Sequence, residues 1–142
     1  MRGLIVESSA HIRSRILHIL EQLDSVHSIY HTDSHSNADS LFDMVLPDFV
    51  LLDVDFQQNA AIELVKMIKQ KSTGCVVIAM VNSEEERELN VFKLHGVDFI
   101  LDKYHAFEKI PKTIAMADKL HKCKNLYTKH PFLATHELAY AI

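Results

Sequence analysis

The sequence predicts one α/β domain built on a parallel sheet with helices on both faces. Three observations carry that reading. Five short apolar runs recur along the chain, at residues 4–6, 28–32, 49–53, 75–81 and 99–101. The segments between and after them space their apolar residues as helices do. The runs are near-continuous rather than alternating, as in Phe49-Val50-Leu51-Leu52 and Val76-Val77-Ile78-Ala79-Met80-Val81, the pattern of strands buried on both sides. Right-handed crossovers follow from strand twist.

Leu4-Ile5-Val6 forms the first strand, and Glu7-Ser8-Ser9 the turn at its carboxyl end. Ile12, Ile16, Ile19, Leu20 and Leu23 mark a first helix over residues 10–23, with Ser8 or Ser9 as its cap. Residues 28–32 form the second strand. Residues 38–45 form the second helix, ended by Pro47, which also disfavours helical geometry at Leu46. The third strand, residues 49–53, ends on a carboxylate, Asp53. Ile62, Leu64, Val65 and Ile68 mark the third helix, and residues 75–81 the fourth strand. Glu84-Glu85-Glu86 places negative charge in the first turn of the fourth helix, where the helix dipole favours it. That helix runs to His95 and stops at Gly96. Residues 99–101 form the fifth strand. Phe107, Ile110, Ile114, Ala117 and Leu120 mark the fifth helix, with Pro111 in its first two turns.

The bulk properties narrow the function classes. The chain has 142 residues, 48% hydrophobic and 24% charged, with a net charge of -4. This suits one soluble domain with a sizeable core. No long basic block marks a nucleic-acid-binding surface. No apolar run approaches the roughly 18 residues of a membrane span, and the apolar start is too short for a signal peptide. Cys75 and Cys123 lack CxxC spacing. Cys75 reads as a small buried hydrophobe, a structural disulfide is not expected, and a cytoplasmic location fits. Of the ten histidines, His27, His31 and His35 recur every four residues. The strand reading of residues 28–32 spreads these three along an extended chain, so they read as surface histidines rather than a metal site.

The chemistry gathers where parallel strands end, since ligands of open α/β sheets sit at the carboxyl edge. Strand one ends at Glu7, strand three at Asp53, and Lys103 lies just beyond strand five. The motifs around Asp53, "PDFVLLDVD", and around Lys103, "HGVDFILDK", together with their spacing, resemble the receiver domain of two-component response regulators over residues 3 to about 121. The resemblance implies a flavodoxin-like three-layer sandwich with strand order 2-1-3-4-5. It implies that Asp53 accepts a phosphoryl group and that Lys103 contacts it; Asn82 or Ser83 substitutes for the missing strand-four hydroxyl only through a backbone shift. It also implies magnesium held by Glu7, Asp53 and the backbone carbonyl of Asp55.

Several positions depart from that pattern. Ser8 stands where the family has its second, directly metal-ligating acid, and a hydroxyl is a weaker ligand for a hard dication. With only Glu7 and Asp53 as acids, magnesium affinity is expected to fall. Val81 replaces the strand-four Thr or Ser, and Ile100 replaces the switch aromatic of strand five, with Phe99 facing the other way. Gln57 and Ala60-Ala61 stand where the family has a proline and an Asp-Gly. Tyr104 replaces a cis-proline, so a trans bond is expected.

Receiver-type folds end with the fifth helix, so residues 1–121 are expected to form the domain and 122–142 a C-terminal extension. The extension is too short for a DNA-binding output domain and too apolar for a disordered tail. Thr135 is placed to cap a last short helix with Leu138 and Ile142 on one side. Tyr127, Phe132, Leu133, Leu138 and Ile142 suit packing on the domain or an interaction segment, including a homodimer contact. The expected function is a non-enzymatic receiver. It takes a phosphoryl group from a histidine kinase or phosphotransfer protein and signals to a downstream protein, without DNA or membrane contact. The alternative is a phosphorylation-independent pseudo-receiver acting as an interaction or dimerisation module. A small-molecule enzyme is disfavoured, since no glycine-rich phosphate loop follows strand one and the chain has three glycines.

Overall fold

In the computed structural model, which describes residues 1–54, 58–82 and 86–129, five parallel strands form one sheet in the order β2-β1-β3-β4-β5. The strands are β1 (Arg2–Val6), β2 (Ser28–Thr32), β3 (Phe49–Asp53), β4 (Val76–Val81) and β5 (Phe99–Asp102). The helices are α1 (Ala10–Glu21), α2 (His35–Val45), α3 (Gln58–Lys71), α4 (Glu86–Leu94) and α5 (Ala106–Lys129). The strand order is the one the resemblance implies.

Strands β3 and β4 are buried at every position. They serve two cores at once. Val50 and Leu52 join Phe42 of α2, Val65 and Ile68 of α3 and Phe92 of α4 on one side of the sheet. Phe49 and Leu51 join Ile16 and Leu20 of α1 and Ile110 and Ile114 of α5 on the other. Alternating side chains therefore commit each strand to both layers, which explains the continuous apolar runs. At Gly3 a Cβ would collide with the tip of the Phe49 ring, so the ring reaches β1 only because residue 3 has no side chain.

Helix starts follow side-chain caps more closely than apolar spacing. The Ser9 hydroxyl accepts from Ile12 N (3.3 Å) and opens α1. The Ser34 hydroxyl accepts from Asn37 N (3.3 Å) and opens α2 at His35, three residues before the expected start at Ala38. The residues 35–37 carry no apolar side chain, so periodicity alone misses them. At its other end α2 closes with Leu46 in the left-handed region (φ 51°), directly before Pro47. Helix α1 ends at Glu21 rather than at 23, because the Gln22 and Leu23 amides bond to Ile19 and Leu20 in a tighter turn. Strand β4 starts one residue later than expected, leaving Cys75 buried just before it. Gly96 takes φ 107° after α4, where a side chain would be strained. Of the expected acidic first turn, Glu84 and Glu85 lie outside the described residues, as do the side chains of Glu86 and Arg87.

Helix α5 runs to Lys129, eight residues beyond its expected end near 121. The sequence from Lys112 to His130 has no glycine or proline to stop it. Its last turns are tied to the lower edge of the sheet. The Lys124 ammonium donates to Asp98 Oδ1 (2.9 Å), and His121 Nδ1 donates to Gly74 O (3.1 Å). Asp98 is the hub of that edge, since its Oδ2 also accepts from Lys69 Nζ (2.8 Å) and Val77 N (2.8 Å). Thr135, Phe132, Leu133, Leu138 and Ile142 lie outside the described residues, as does the side chain of Tyr127. No helix among the described residues is long and apolar enough to cross a membrane.

Asp98→Ala strips one backbone amide and two lysines of their shared acceptor at a mostly buried site. It is expected to destabilise the fold by about 2–4 kcal/mol in urea unfolding. A loss below about 0.5 kcal/mol would show that the network does not anchor α5.

Candidate functional site

Strand pairing brings the charged residues together. Val6 lies opposite Leu52, and Asp53 opposite Met80. Glu7, Asp53 and Lys103 therefore leave the sheet at one edge. Glu7 and Asp53 are buried, at 2% and 5% exposure. Lys103 is fixed from behind by its amide, which donates to Val81 O (2.8 Å). Its Nζ lies 3.0 Å from Asp53 Oδ2 and 3.6 Å from Glu7 Oε1. One ammonium thus serves two buried carboxylates.

The backbone of Glu7 is equally constrained. Its amide donates to Thr32 O (3.1 Å), and its carbonyl accepts from the Arg13 guanidinium (2.7 Å). The Ser9 amide donates to its Oε1 (3.4 Å), but Oε2 is buried with no hydrogen-bond partner. Burial, and then the nearby Asp53 carboxylate, push the Glu7 pKa up to about 7, against the opposing pull of Lys103 and the Ser9 amide.

The substituted positions also fall where their chemistry would matter. Ser8 is exposed beside Glu7. Val81 and Ile100 pack in the core on the α4 side, and Phe99 packs on the α1–α5 side, as strand alternation requires. Asn82 is exposed one residue beyond β4. Tyr104 is exposed, and no cis peptide bond occurs among the described residues. Asp55 and Gln57 lie outside the described residues.

The sequence reading missed three residues that the fold brings to the same edge. A cavity of about 100 Å³ beside Asp53 is lined by Glu7 and Ser8 from one side and by Asp33, Ser34 and His35 from the other. His35 is the first residue of α2, not part of an extended surface segment. Its Nε2 donates to Asp53 O (3.0 Å). Two signals were available: the β2–α2 loop must sit at the carboxyl edge, and Ser34 precedes a helix as a cap.

The oxygen donors here suit a hard dication such as magnesium. The unmet, buried Oε2 of Glu7 is an acceptor that a cation would satisfy, so Glu7 and Asp53 fit the role of its carboxylate ligands. As they are placed, no three His, Cys, Asp or Glu side chains among the described residues stand close enough together to hold a metal.

Comparison with known proteins identifies the family and the fold. Residues 4–115 match the family described as response regulator receiver domain. A curated relative, protein-glutamate methylesterase/protein-glutamine glutaminase 3 of Geobacter sulfurreducens, is 28% identical over 101 residues, covering 70% of this chain and 27% of the relative. The chain thus matches about a quarter of that protein's length. Among solved structures, the isolated REC domain of RcsB from Salmonella enterica serovar Typhimurium superposes with a TM-score of 0.76 at 18% identity, covering 84% of this chain and 88% of that one. The response regulator domain of Thermotoga maritima CheB gives 0.73 at 18% identity, covering 86% and 96%. At these identities the structures share the fold.

The raised Glu7 pKa has a consequence for stability. Between about pH 4.5 and 7 the folded protein holds a proton on Glu7 that the unfolded chain has released. Metal-free protein should therefore lose stability as pH rises through that window, and Glu7→Gln should flatten the loss. Chemical denaturation in chelator at stepped pH reads both. A stability that rises across the window in the wild type by the same amount as in Glu7→Gln would contradict it.

Proposed function

Because the chain belongs to the response regulator receiver domain family, we propose that it receives a phosphoryl group on Asp53 and signals through protein contacts. The observation that supports this most directly is the position of Lys103 Nζ, 3.0 Å from the Asp53 carboxylate at a buried strand end. A phosphohistidine of a histidine kinase or phosphotransfer protein is the donor.

An Asp53 oxygen attacks the phosphorus, the P–N bond breaks, and the imidazole leaves with its electron pair and takes a proton from solvent. Lys103 meets the charge that grows on the phosphoryl oxygens. Burial of Asp53 keeps bulk water from competing for that ammonium. When bound, a magnesium ion held by Glu7 and Asp53 supplies charge neutralisation between carboxylate and phosphoryl oxygens. Asn82, just past β4, offers its amide to the same oxygens. Val81 offers no donor, so one hydroxyl contact of the family's usual set is missing.

The output is a change in a protein-binding face. The family uses α4, β5 and α5, and here Leu94 and Tyr104 on that face are 84% and 77% exposed. Residues 1–121 act as the receiver unit. The chain from 122 onward acts as an extension for packing or contact with a downstream partner, including a second copy.

Incubation with a small acyl phosphate and magnesium should add the mass of one phosphoryl group, and Asp53→Asn should abolish it. Lys103→Ala should slow the reaction about a hundredfold, by loss of roughly 3 kcal/mol of charge stabilisation. Val81→Thr should accelerate it about tenfold by restoring a donor. Phosphorylation of Asp53→Asn at the wild-type rate would sink the proposal.

A further inference from the structure

The turn between β2 and α2 reaches the backbones of both buried acids. Thr32 O accepts from the Glu7 amide (3.1 Å), and the Ser34 amide donates to Thr32 Oγ1 (3.4 Å). The Ser34 hydroxyl accepts from Asn37 N (3.3 Å), which sets His35 as the first residue of α2. From there the His35 ring crosses to β3 and brings its Nε2 to 3.0 Å from Asp53 O. A carbonyl only accepts, so the proton of this bond belongs to Nε2.

The bond stands where strand pairing stops. The β1–β3 ladder ends one residue short of Asp53, at Val6 with Leu52, and the chain then turns into α1 with Ser9 as its cap. A side chain thus holds the last residue of β3 beyond the end of that ladder. The ring itself is half-buried between two open spaces, the cavity of about 100 Å³ beside Asp53 and a groove of about 520 Å³ between α2 and α3. With space on both sides, the hydrogen bond rather than close packing sets where the ring points.

We propose that His35 is a positioning residue for Asp53. Its Nε2–H fixes the Asp53 carbonyl, and with it the backbone from which the carboxylate reaches Lys103 Nζ at 3.0 Å. Lys103 is anchored separately through its amide on Val81, so rotation of the Asp53 backbone would shift the carboxylate against a fixed partner. The rate of attack on phosphorus depends steeply on how the nucleophile is oriented. The role in phosphoryl transfer rests on the acceptor reading of Asp53; the role in holding the carboxylate does not.

In the wild-type chain carrying isotope-labelled histidine, the ring nitrogen resonances of His35 should place a proton on Nε2. A His35 ring protonated on Nδ1 alone overturns the proposal, whatever the variants do. His35→Phe keeps a ring without a donor, and His35→Gln offers an amide donor of similar reach. The carboxyl carbon resonance of Asp53, assigned by its loss in Asp53→Asn, should move in His35→Phe and return toward its wild-type position in His35→Gln. With a small acyl phosphate and magnesium, His35→Phe should gain phosphoryl mass about tenfold more slowly at an unchanged half-saturating donor concentration, and His35→Gln should recover most of the rate. A histidine that only fills space would leave both readouts unmoved in a folded His35→Phe, and either result overturns the proposal. The two readings fail separately. A carboxyl resonance that answers to His35 in a chain that never gains phosphoryl mass refutes the acceptor role alone. A chain phosphorylated equally fast with Phe at position 35 refutes the positioning role alone.

Discussion

Two carboxylates enter the interior of this protein on strands that are buried on both faces, and their charge has to be met where they emerge. Glu7 and Asp53 sit at adjacent strand ends, each almost without solvent. Lys103 reaches both from beyond β5. A buried acid left without a counter-charge costs several kcal/mol, whereas one paired with an ammonium is tolerated. The geometry of the upper edge follows from this requirement. The Lys103 amide is anchored on Val81, the Glu7 backbone is clamped by Thr32 and Arg13, and the β2–α2 loop closes over Asp53 through His35. One ammonium between two carboxylates still leaves net negative charge at the edge. Burial, and after it the nearby Asp53 carboxylate, raise the pKa of Glu7.

The fold was legible because its driving force is written in runs of apolar residues. A strand such as β3 has no polar face, so its sequence states its burial directly, and Asp53 stands out as the one break in the run. Lys103 was legible for a related reason, since it follows the last strand by one residue on the same edge. His35 and Asp33 were not. They belong to a loop and a cap, whose positions depend on Ser34 accepting an amide proton rather than on any apolar period. The length of α5 escaped for another reason. Its final turns are held by Lys124 and His121 to groups far away in sequence, Asp98 and Gly74, and such pairs leave no local pattern.

The departures from the family pattern sit where the fold can absorb them. Val81 and Ile100 lie on the α4 side of the sheet and add apolar surface to the core there. Replacing a hydroxyl and an aromatic ring by aliphatic side chains removes polar groups that would need partners. It thus favours packing while it takes away a phosphoryl contact and a bulky side chain able to move with it. Ser8 is exposed and contributes nothing to either core. None of the three substitutions therefore conflicts with the sheet order or with the position of Asp53.

This separation of core from chemistry explains how the edge can be remodelled while its framework is kept. The residues that fix the framework are the apolar ones that fill both layers and the backbone groups of Glu7, Asp53 and Lys103. The polar side chains one position further out lie at the starts of α1 and α2. Both helices begin next to the same cavity, one capped by Ser9 and the other by Ser34. A substitution at the first of these starts, such as Ser8, leaves the strands untouched. The parallel sheet makes such a substitution geometrically cheap, because every crossover returns the chain to the same edge. A change of side chain at this edge thus leaves Asp53 its place and its lysine.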